Sequence, residues 1–210
     1  MMSLVLAAGN GTRFIGYAQP KPLLPMPDGR PLLAWVCDQL PAGERVIVAQ
    51  ARDVEAILPW ARGARIITIS HVTDGPLASA RMASTSLHGE LLIVHCDVLL
   101  DCVTFVDAAR SNCAPYACVT FTSADPRYGY WNGKEAVEKR VVSERAISGA
   151  FYFRDAATFL ARARVAPSHA GVPALLDSST FCYHTDAVVD VGTPGDYERF
   201  LKGVTHAYSC

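Results

Sequence analysis

The chain has 210 residues, half of them hydrophobic, and its 19 basic side chains nearly balance its 20 acidic ones. This composition excludes intrinsic disorder, and a net charge of -1 without a basic stripe gives no electrostatic basis for binding nucleic acid. No apolar stretch reaches the roughly 18 residues of a membrane helix, and the first residues carry neither a basic region nor a cleavage site, so we expect a cytoplasmic protein that does not enter membranes.

Short apolar runs alternate with helical segments through residues 1–124. We predict strands at residues 3–7, 45–49, 65–70, 91–96 and 116–121, and helices at residues 31–40, 54–61, 76–88 and 103–111. This alternation is typical of a mostly parallel sheet covered by helices on both faces. Ligands bind such sheets beyond the carboxyl ends of the strands.

The pattern changes from about Asp125, where a turn-rich segment begins. The later predicted elements are a β-rich piece at residues 147–153, a helix from Asp155, a strand at 187–191 and a helix at 195–201. No linker, no internal repeat and no periodic hexapeptide tail separates this part from the first. We therefore interpret residues 1–210 as one domain that carries a substrate-binding insertion.

Seven cysteines occur without a C-x-x-C pair, and an odd number cannot all pair within one chain, so we expect reduced thiols. Cys182 lies two residues before His184, but a zinc site needs four ligands in recognisable pairs, and the other two are missing from the neighbouring sequence. We therefore do not expect zinc.

A glycine-containing segment follows the first predicted strand directly. Its two glycines and small side chains allow backbone N–H groups to approach a phosphate chain closely. The segment matches neither a Walker loop nor a dinucleotide-binding fingerprint, and taken alone it is equally compatible with a simple tight turn. It consists of Leu6, Ala7, Ala8, Gly9, Asn10, Gly11, Thr12 and Arg13.

Seven residues after Arg13, Pro20 and Pro22 flank Lys21 and restrict the backbone around it, which suits a lysine held beside a polyphosphate. The order Ala-Ala-Gly, Gly-Thr-Arg, Lys-Pro resembles the nucleotidyltransferases that join a phosphorylated sugar or similar small molecule to a nucleoside triphosphate (NTP). The resemblance extends over nearly the whole chain. It implies a Rossmann-like (GT-A-like) three-layer α/β/α sandwich with a mostly parallel mixed sheet and a β-rich acceptor-binding insertion.

The same resemblance implies the roles of the first half of the chain, residues 1–124. The nucleotide would lie against residues 6–12 and Gly75, Arg13 would steady the leaving β- and γ-phosphates, and Lys21 would contact the α-phosphate. Asp74-Gly75-Pro76 replaces the Gly-Thr-Ala usual in the family, and His95 replaces an asparagine, which leaves the base and the acceptor open. The Gly-Pro form is similar to that of small enzymes from capsule and surface-polysaccharide gene sets.

Two aspartates stand where predicted strands end, Asp97 and Asp190. The second lies in residues 186–210, which we interpret as the metal-binding strand and the C-terminal helix. In the family, the first resembles the aspartate that binds the metal bridging the nucleotide phosphates, and the second would be its partner ligand. Magnesium suits one or two carboxylates together with phosphate oxygens. Asp190 could also be a plain turn residue. Asp101 and Asp196 are better explained as residues at helix starts.

Between these aspartates lies the expected acceptor-binding portion, residues 125–185. The resemblance implies an acceptor pocket walled by a Tyr-Gly turn, a Glu-Lys pair and a glycine-containing strand, with Glu138 on sugar hydroxyls and Lys139 on the acceptor phosphate. A surface hairpin with an exposed charge pair is the alternative. The candidate residues are Tyr128, Gly129, Glu138, Lys139 and Gly149.

The expected reaction is transfer of a nucleoside monophosphate from an NTP to a phosphorylated small molecule, with Mg²⁺ as cofactor and pyrophosphate as product. A sugar 1-phosphate is the first candidate acceptor. A cytidylyltransferase for phosphocholine or another non-sugar phosphate, and a silent NTP-binding subunit, remain alternatives, and the oligomeric state stays open, a homo-oligomer included. A glycosyltransferase would require a D-x-D pair, whereas Val98 and Leu99 follow Asp97.

Overall fold

The computed structural model describes the backbone of residues 1–207 and the side chains of residues 1–203. Eleven strands occur in this part of the chain. They are β1 (Met2–Ala7), β2 (Glu44–Gln50), β3 (Arg65–Ile69), β4 (Leu91–His95), β5 (Val98–Leu99), β6 (Tyr116–Thr122), β7 (Gly129–Trp131), β8 (Ala136–Glu138), β9 (Arg145–Phe153), β10 (Thr180–His184) and β11 (Val189–Asp190).

The main sheet has the order β10-β6-β9-β4-β1-β2-β3, and the β7–β8 hairpin extends it from β9. Strands β4, β1, β2 and β3 run parallel, as do β6 and β10, whereas β9 is antiparallel to both of its neighbours β4 and β6. Strands β5 and β11 form a separate two-stranded antiparallel ribbon. The predicted mostly parallel, mixed sheet is confirmed.

Six α-helices flank the sheet in the described residues, and none of them is both long and apolar enough to cross a membrane. Asp101 begins α4 by accepting a hydrogen bond from the backbone N–H of Thr104, as predicted. The helices are α1 (Leu32–Asp38), α2 (Val54–Ile57), α3 (Pro76–Met82), α4 (Cys102–Ser111), α5 (Ala156–Val165) and α6 (Pro194–Ala207).

The core consists of two apolar clusters, one on each face of the sheet. Alternation along β1 sends Val5 into one cluster and Leu4 into the other, and both side chains are fully buried. Helices α1, α4 and α6 cover the first cluster, and α3 and α5 cover the second. This three-layer arrangement confirms the predicted α/β/α sandwich.

Several elements differ from the sequence prediction. Strand β10 lies within a segment for which no strand was predicted. The strand predicted at residues 187–191 is reduced to Val189–Asp190, which pairs with β5 in the ribbon. The helix predicted at residues 54–61 ends at Ile57 in a 3₁₀ turn, because Pro59 has no N–H for a continuing helix. The helix predicted at 76–88 stops at Met82, where the serine-rich segment 84–86 forms another 3₁₀ turn.

The six described cysteines are free thiols, as expected, and Cys210 lies outside the described residues. Cys118 on β6 and Cys182 on β10 are register partners with sulfur atoms 3.6 Å apart. The side chain of His184, which follows on the same strand, contacts the hydroxyls of Thr120 and Thr122.

Candidate active site

The glycine-containing segment leaves the carboxyl end of β1, the strand between β4 and β2. Gln50, buried at the end of β2, donates a hydrogen bond to the carbonyl of Ala8 (Nε2 to O, 2.7 Å) and fixes the loop. Gly11 has φ 61° and precedes a 3₁₀ turn at Thr12–Phe14. A left-handed residue is needed here to turn the chain, and glycine supplies it without steric cost.

Lys21 begins a 3₁₀ turn, directly after Pro20 in the extended conformation. Its ammonium forms an ion pair with Asp97, and the two side chains are only 16% and 19% exposed. Burial lowers the pKa of Lys21, but the charge of Asp97, its hydrogen bond and the other negative groups nearby together outweigh burial and leave that pKa above its ordinary value. The lysine is therefore a fixed cation, which we expected from its flanking prolines.

Asp97 and Asp190 lie side by side because the β5–β11 ribbon joins the segments that carry them. Asp190 pairs with Val98, and the backbone N–H of Val191 donates to the carbonyl of Asp97 (2.8 Å). Oδ1 of Asp190 is buried and has no hydrogen-bond partner in the described part of the chain. Burial, and then repulsion from Asp97, raise the pKa of Asp190.

The pKa of Asp97 shifts in the opposite direction. Burial alone would raise it, but the charge and hydrogen bond of Lys21, together with His95 and a backbone hydrogen bond, lower it below the ordinary value. The ammonium of Lys21 thus acts on both carboxylates. An additional cation between them and a bound phosphate chain would relieve the repulsion that Asp190 experiences.

Two clefts meet at Asp97. The first has a volume of about 300 Å³ and is lined by the whole predicted nucleotide set, residues 6–12 and Gly75, together with Arg13 and Lys21. The second has a volume of about 450 Å³ and is lined by Asp190 and all five predicted acceptor residues. The residues that line both clefts are Arg13, Gly75, Pro76, His95, Asp97 and Gly192.

The β7–β8 hairpin forms one wall of the second cleft, with Gly129 opposite Glu138. The carboxylate of Glu138 lies against Gly171, where an added Cβ would stand 2.5 Å from Oε1. The side chains of Glu138 and Lys139 are exposed. The predicted charge pair is thus on a surface hairpin and also on a cleft wall, so the two alternatives considered from the sequence are not exclusive.

Several residues of the second cleft were not assigned to the site from the sequence, among them Arg127, Ser148, His169 and Gly192. Arg127 donates to the buried carboxylate of Asp196 (Nη1 to Oδ2, 2.5 Å) and to the hydroxyl of Tyr128. Asp196 is in the first turn of α6, as predicted, but it also anchors this arginine. From the sequence, only the position of Arg127 next to the Tyr-Gly turn could have indicated that it lines the second cleft.

Comparison with known proteins identifies the family. Residues 3–185 match the family described as the MobA-like NTP transferase domain. The chain belongs to this family. As a MobA-like NTP transferase it is a nucleotidyltransferase, which confirms the family resemblance of its motifs. No curated protein sequence matches the chain.

Solved structures share the fold of this MobA-like NTP transferase. A nucleoside-diphosphate-sugar pyrophosphorylase from Vibrio cholerae superposes with a TM-score of 0.77 at 15% identity, over 96% of this chain and 100% of its own. A protein from Bacillus anthracis assigned as a glucose-1-phosphate thymidylyltransferase gives 0.82 at 17%, over 99% and 96%. HddC from Yersinia pseudotuberculosis gives 0.69 at 17%, over 97% and 99%.

The residues of this MobA-like NTP transferase fit a magnesium ion. Two adjacent carboxylates, one with an unpartnered buried oxygen, provide the hard oxygen ligands that Mg²⁺ prefers. No group of three or more His, Cys, Asp or Glu side chains within the described residues is arranged to hold a metal ion. Two protein ligands suit a site that substrate phosphates complete.

The raised pKa of Asp190 predicts a stability effect. Because this pKa lies above the ordinary aspartate value, ionised Asp190 destabilises the folded chain at neutral pH, and the effect disappears as the pH falls toward that ordinary value. Asp190→Asn should therefore raise the metal-free Tm at neutral pH by a few degrees, since about 1 kcal/mol corresponds to roughly 2–4 °C in a chain of this size. Thermal unfolding at neutral and acidic pH tests this, and a lower Tm of the variant at neutral pH would contradict it.

Proposed function

We propose that this chain transfers a nucleoside monophosphate from an NTP to a sugar 1-phosphate and releases pyrophosphate. The observation that carries this proposal is the meeting of two clefts at Asp97, where a fixed lysine and a second carboxylate also lie. A transferase that joins two phosphorylated substrates needs two binding regions that adjoin at the reacting phosphorus. A simple NTP-binding subunit has no use for the second cleft.

In this proposal the first cleft holds the NTP, and residues 1–124 form the nucleotide-binding half. Backbone N–H groups of residues 8–12 approach the phosphates, because the small side chains of this loop leave the backbone accessible. Exposed Arg13, near the carbonyl of Gly192 (3.4 Å), steadies the leaving β- and γ-phosphates. Lys21 contacts the α-phosphate and offsets the negative charge that accumulates there.

Asp97 and Asp190 would hold Mg²⁺, so residues 186–207 supply the second ligand and α6. When bound, the ion adds positive charge at the phosphates of both substrates. The β5–β11 ribbon holds the segments of Asp97 and Asp190 next to each other, so that both carboxylates are in place before the ion binds. Burial and the charge of Asp97 raise the pKa of Asp190, and the hydroxyl of Tyr128 and the charge of Arg127 partly offset this rise.

The second cleft takes the acceptor, with residues 125–185 as the acceptor-binding portion. Glu138 accepts hydrogen bonds from sugar hydroxyls, Lys139 pairs with the acceptor phosphate, and Tyr128, Gly129 and Gly149 form the walls. A carboxylate together with the buried hydroxyl of Ser148 suits a ligand rich in hydroxyl groups. A quaternary ammonium such as choline would instead require several aromatic rings around one point.

The reaction needs no general base in this proposal. An oxygen of the acceptor phosphate, already ionised at neutral pH, attacks the α-phosphorus in line with the leaving group. One P–O bond to the acceptor forms, and the bond between the α-phosphorus and the bridging oxygen of the β-phosphate breaks. Pyrophosphate leaves with that oxygen, and catalysis consists of positioning and charge neutralisation.

The names of two structural neighbours, a nucleoside-diphosphate-sugar pyrophosphorylase and a glucose-1-phosphate thymidylyltransferase, support a sugar phosphate as acceptor. The Gly75-Pro76 form favours a nucleotide sugar used for surface polysaccharide. The six free thiols favour a reducing compartment such as the cytoplasm.

The test is pyrophosphate release in the presence of Mg²⁺. Each of the four ribonucleoside triphosphates and dTTP is combined with a panel of sugar 1-phosphates and with phosphocholine, and Asp97→Asn is the control. We expect release with one NTP and one sugar 1-phosphate, and loss of release in the variant. Release with phosphocholine alone would replace the acceptor in the proposal.

Nucleotide binding without release would overturn the proposed transfer. It is detected as a rise in Tm on adding NTP in the absence of turnover, because a ligand that binds only the folded state stabilises it. The silent NTP-binding subunit would then be the better description.

A further inference from the structure

His95 is the last residue of β4, opposite Leu6 of β1 and two residues before Asp97. Its ring packs against Phe151, with ring centroids 6.0 Å apart, and Nε2 is buried without a hydrogen-bond partner in the described residues. Nδ1 of His95 also has no hydrogen-bond partner among the described residues. His95 lines both clefts, and Nδ1, unlike Nε2, is not fully buried, so Nδ1 is the ring nitrogen that a ligand can reach.

Gly149 on β9 leaves room for this ring. A Cβ at residue 149 would lie 2.6 Å from Cγ and 2.7 Å from Nδ1 of His95, a separation that atoms do not tolerate. Gly149 lines the second cleft and not the first. The Nδ1 edge of His95 therefore lies on the side of the second cleft, next to the point where both clefts meet.

We propose that His95 is an acceptor-positioning residue, whose Nδ1 hydrogen-bonds an oxygen at the phosphate end of the acceptor. The inference rests on the proposed function, because it needs an acceptor in the second cleft. A polar ring inside a protein is costly unless its nitrogens find partners, and here the described side chains provide none. A substrate oxygen at the junction of the clefts supplies the missing partner.

This position also explains the arrangement around the ring. The exposed Glu138 and Lys139 line the second cleft on the β7–β8 hairpin, whereas Asp97 lies where the two clefts meet and pairs there with Lys21 of the first cleft. His95 lines both clefts, so it lies where the phosphate of the acceptor must be aligned with the α-phosphorus of the NTP. A single directional hydrogen bond at this point fixes the attacking oxygen.

Three substitutions distinguish the two ring nitrogens. His95→Asn keeps an amide group near the place of Nδ1, His95→Gln extends an amide toward the place of Nε2, and His95→Leu offers neither. We expect the acceptor KM to rise at least about tenfold in the Leu and Gln variants, the size of one lost hydrogen bond to a charged group, and to rise much less in the Asn variant. The NTP KM should stay nearly constant. His184→Leu, on β10, is the matched control.

A structural role would give a different result. Each of three results would overturn the inference: an unchanged acceptor KM in His95→Leu, better rescue by Gln than by Asn, or equal increases in the acceptor and NTP KM. As long as the wild-type protein turns over, these results leave the proposed function intact. Absence of wild-type turnover with every substrate pair would overturn both.

A second measurement is made on the wild-type protein, and a variant serves only to assign one signal. In wild-type protein with ¹³C-labelled histidine, the ring signal of His95, assigned by its loss in His95→Asn, should shift on adding the sugar 1-phosphate that supports turnover. It should shift much less with the NTP alone. A signal that does not respond to the acceptor would overturn the inference.

Discussion

Lys21→Met should lower the rate of nucleotidyl transfer by about a thousandfold, the size of effect seen when a charged group that stabilises a phosphoryl transition state is removed. Methionine keeps most of the length and apolar stem of lysine but removes the ammonium that pairs with Asp97. The loss has two parts. The α-phosphate loses its nearest proposed cation, and the two carboxylates lose the charge that they share.

The loss of that shared charge also affects the carboxylates directly. Lys21 lowers the pKa of both Asp97 and Asp190, so its removal should raise both values and make protons compete better with a metal ion. We therefore expect the Mg²⁺ concentration for half-maximal rate to increase in Lys21→Met, most strongly at acidic pH. Initial rates over a Mg²⁺ titration at two pH values measure this.

Two controls separate catalysis from folding in this experiment. Lys134→Met removes an exposed lysine at the tip of the β7–β8 hairpin and should retain wild-type rates. The Tm of Lys21→Met should fall, because a mostly buried carboxylate is left without its partner, and rates must be measured well below that Tm. Rates near the wild-type value in folded Lys21→Met would exclude Lys21 from the chemistry.

Much of this fold could be predicted from the sequence because its strongest signals are local. The strands at the centre of the sheet are short apolar runs, such as Leu91–His95, and the helices between them carry clear periodicity. The glycine segment and the proline-flanked Lys21 were recognisable for the same reason, since adjacent residues define them. Their place at the edge of the sheet follows from the parallel topology.

The elements that were missed depend on pairing between distant segments. Strand β10 is half-exposed at the edge of the sheet, and pairing with β6 stabilises it more than its own pattern does. The two-residue β11 forms because β5 is next to it. The bond from Arg127 to Asp196 joins residues 69 positions apart, and no local pattern predicts such a contact.

The junction of the clefts also depends on one glycine, Gly192. A Cβ at this position would lie 2.5 Å from Oδ1 of Asp190, the buried oxygen without a partner, so Gly192→Ala should force that carboxylate out of place. A displacement near 1 Å at a reacting centre costs about a hundredfold in rate, and we expect a loss of this size together with a higher Mg²⁺ requirement. The backbone at Gly192 is outside the left-handed region, so alanine adds no backbone strain.

Gly195→Ala is the matched control for this variant, three residues further along the same chain. Its added Cβ would be 3.7 Å from its nearest neighbour, Nη1 of Arg199, which is ordinary contact, and alanine is well accepted in the first turn of α6. Rates and Mg²⁺ titrations of the two variants, compared at equal folded fraction, isolate the effect on Asp190. If Gly192→Ala behaves like Gly195→Ala, the position of Asp190 does not matter for transfer and Asp97 must serve without it. A selective loss in Gly192→Ala would instead establish that catalysis requires Asp190 in its present orientation.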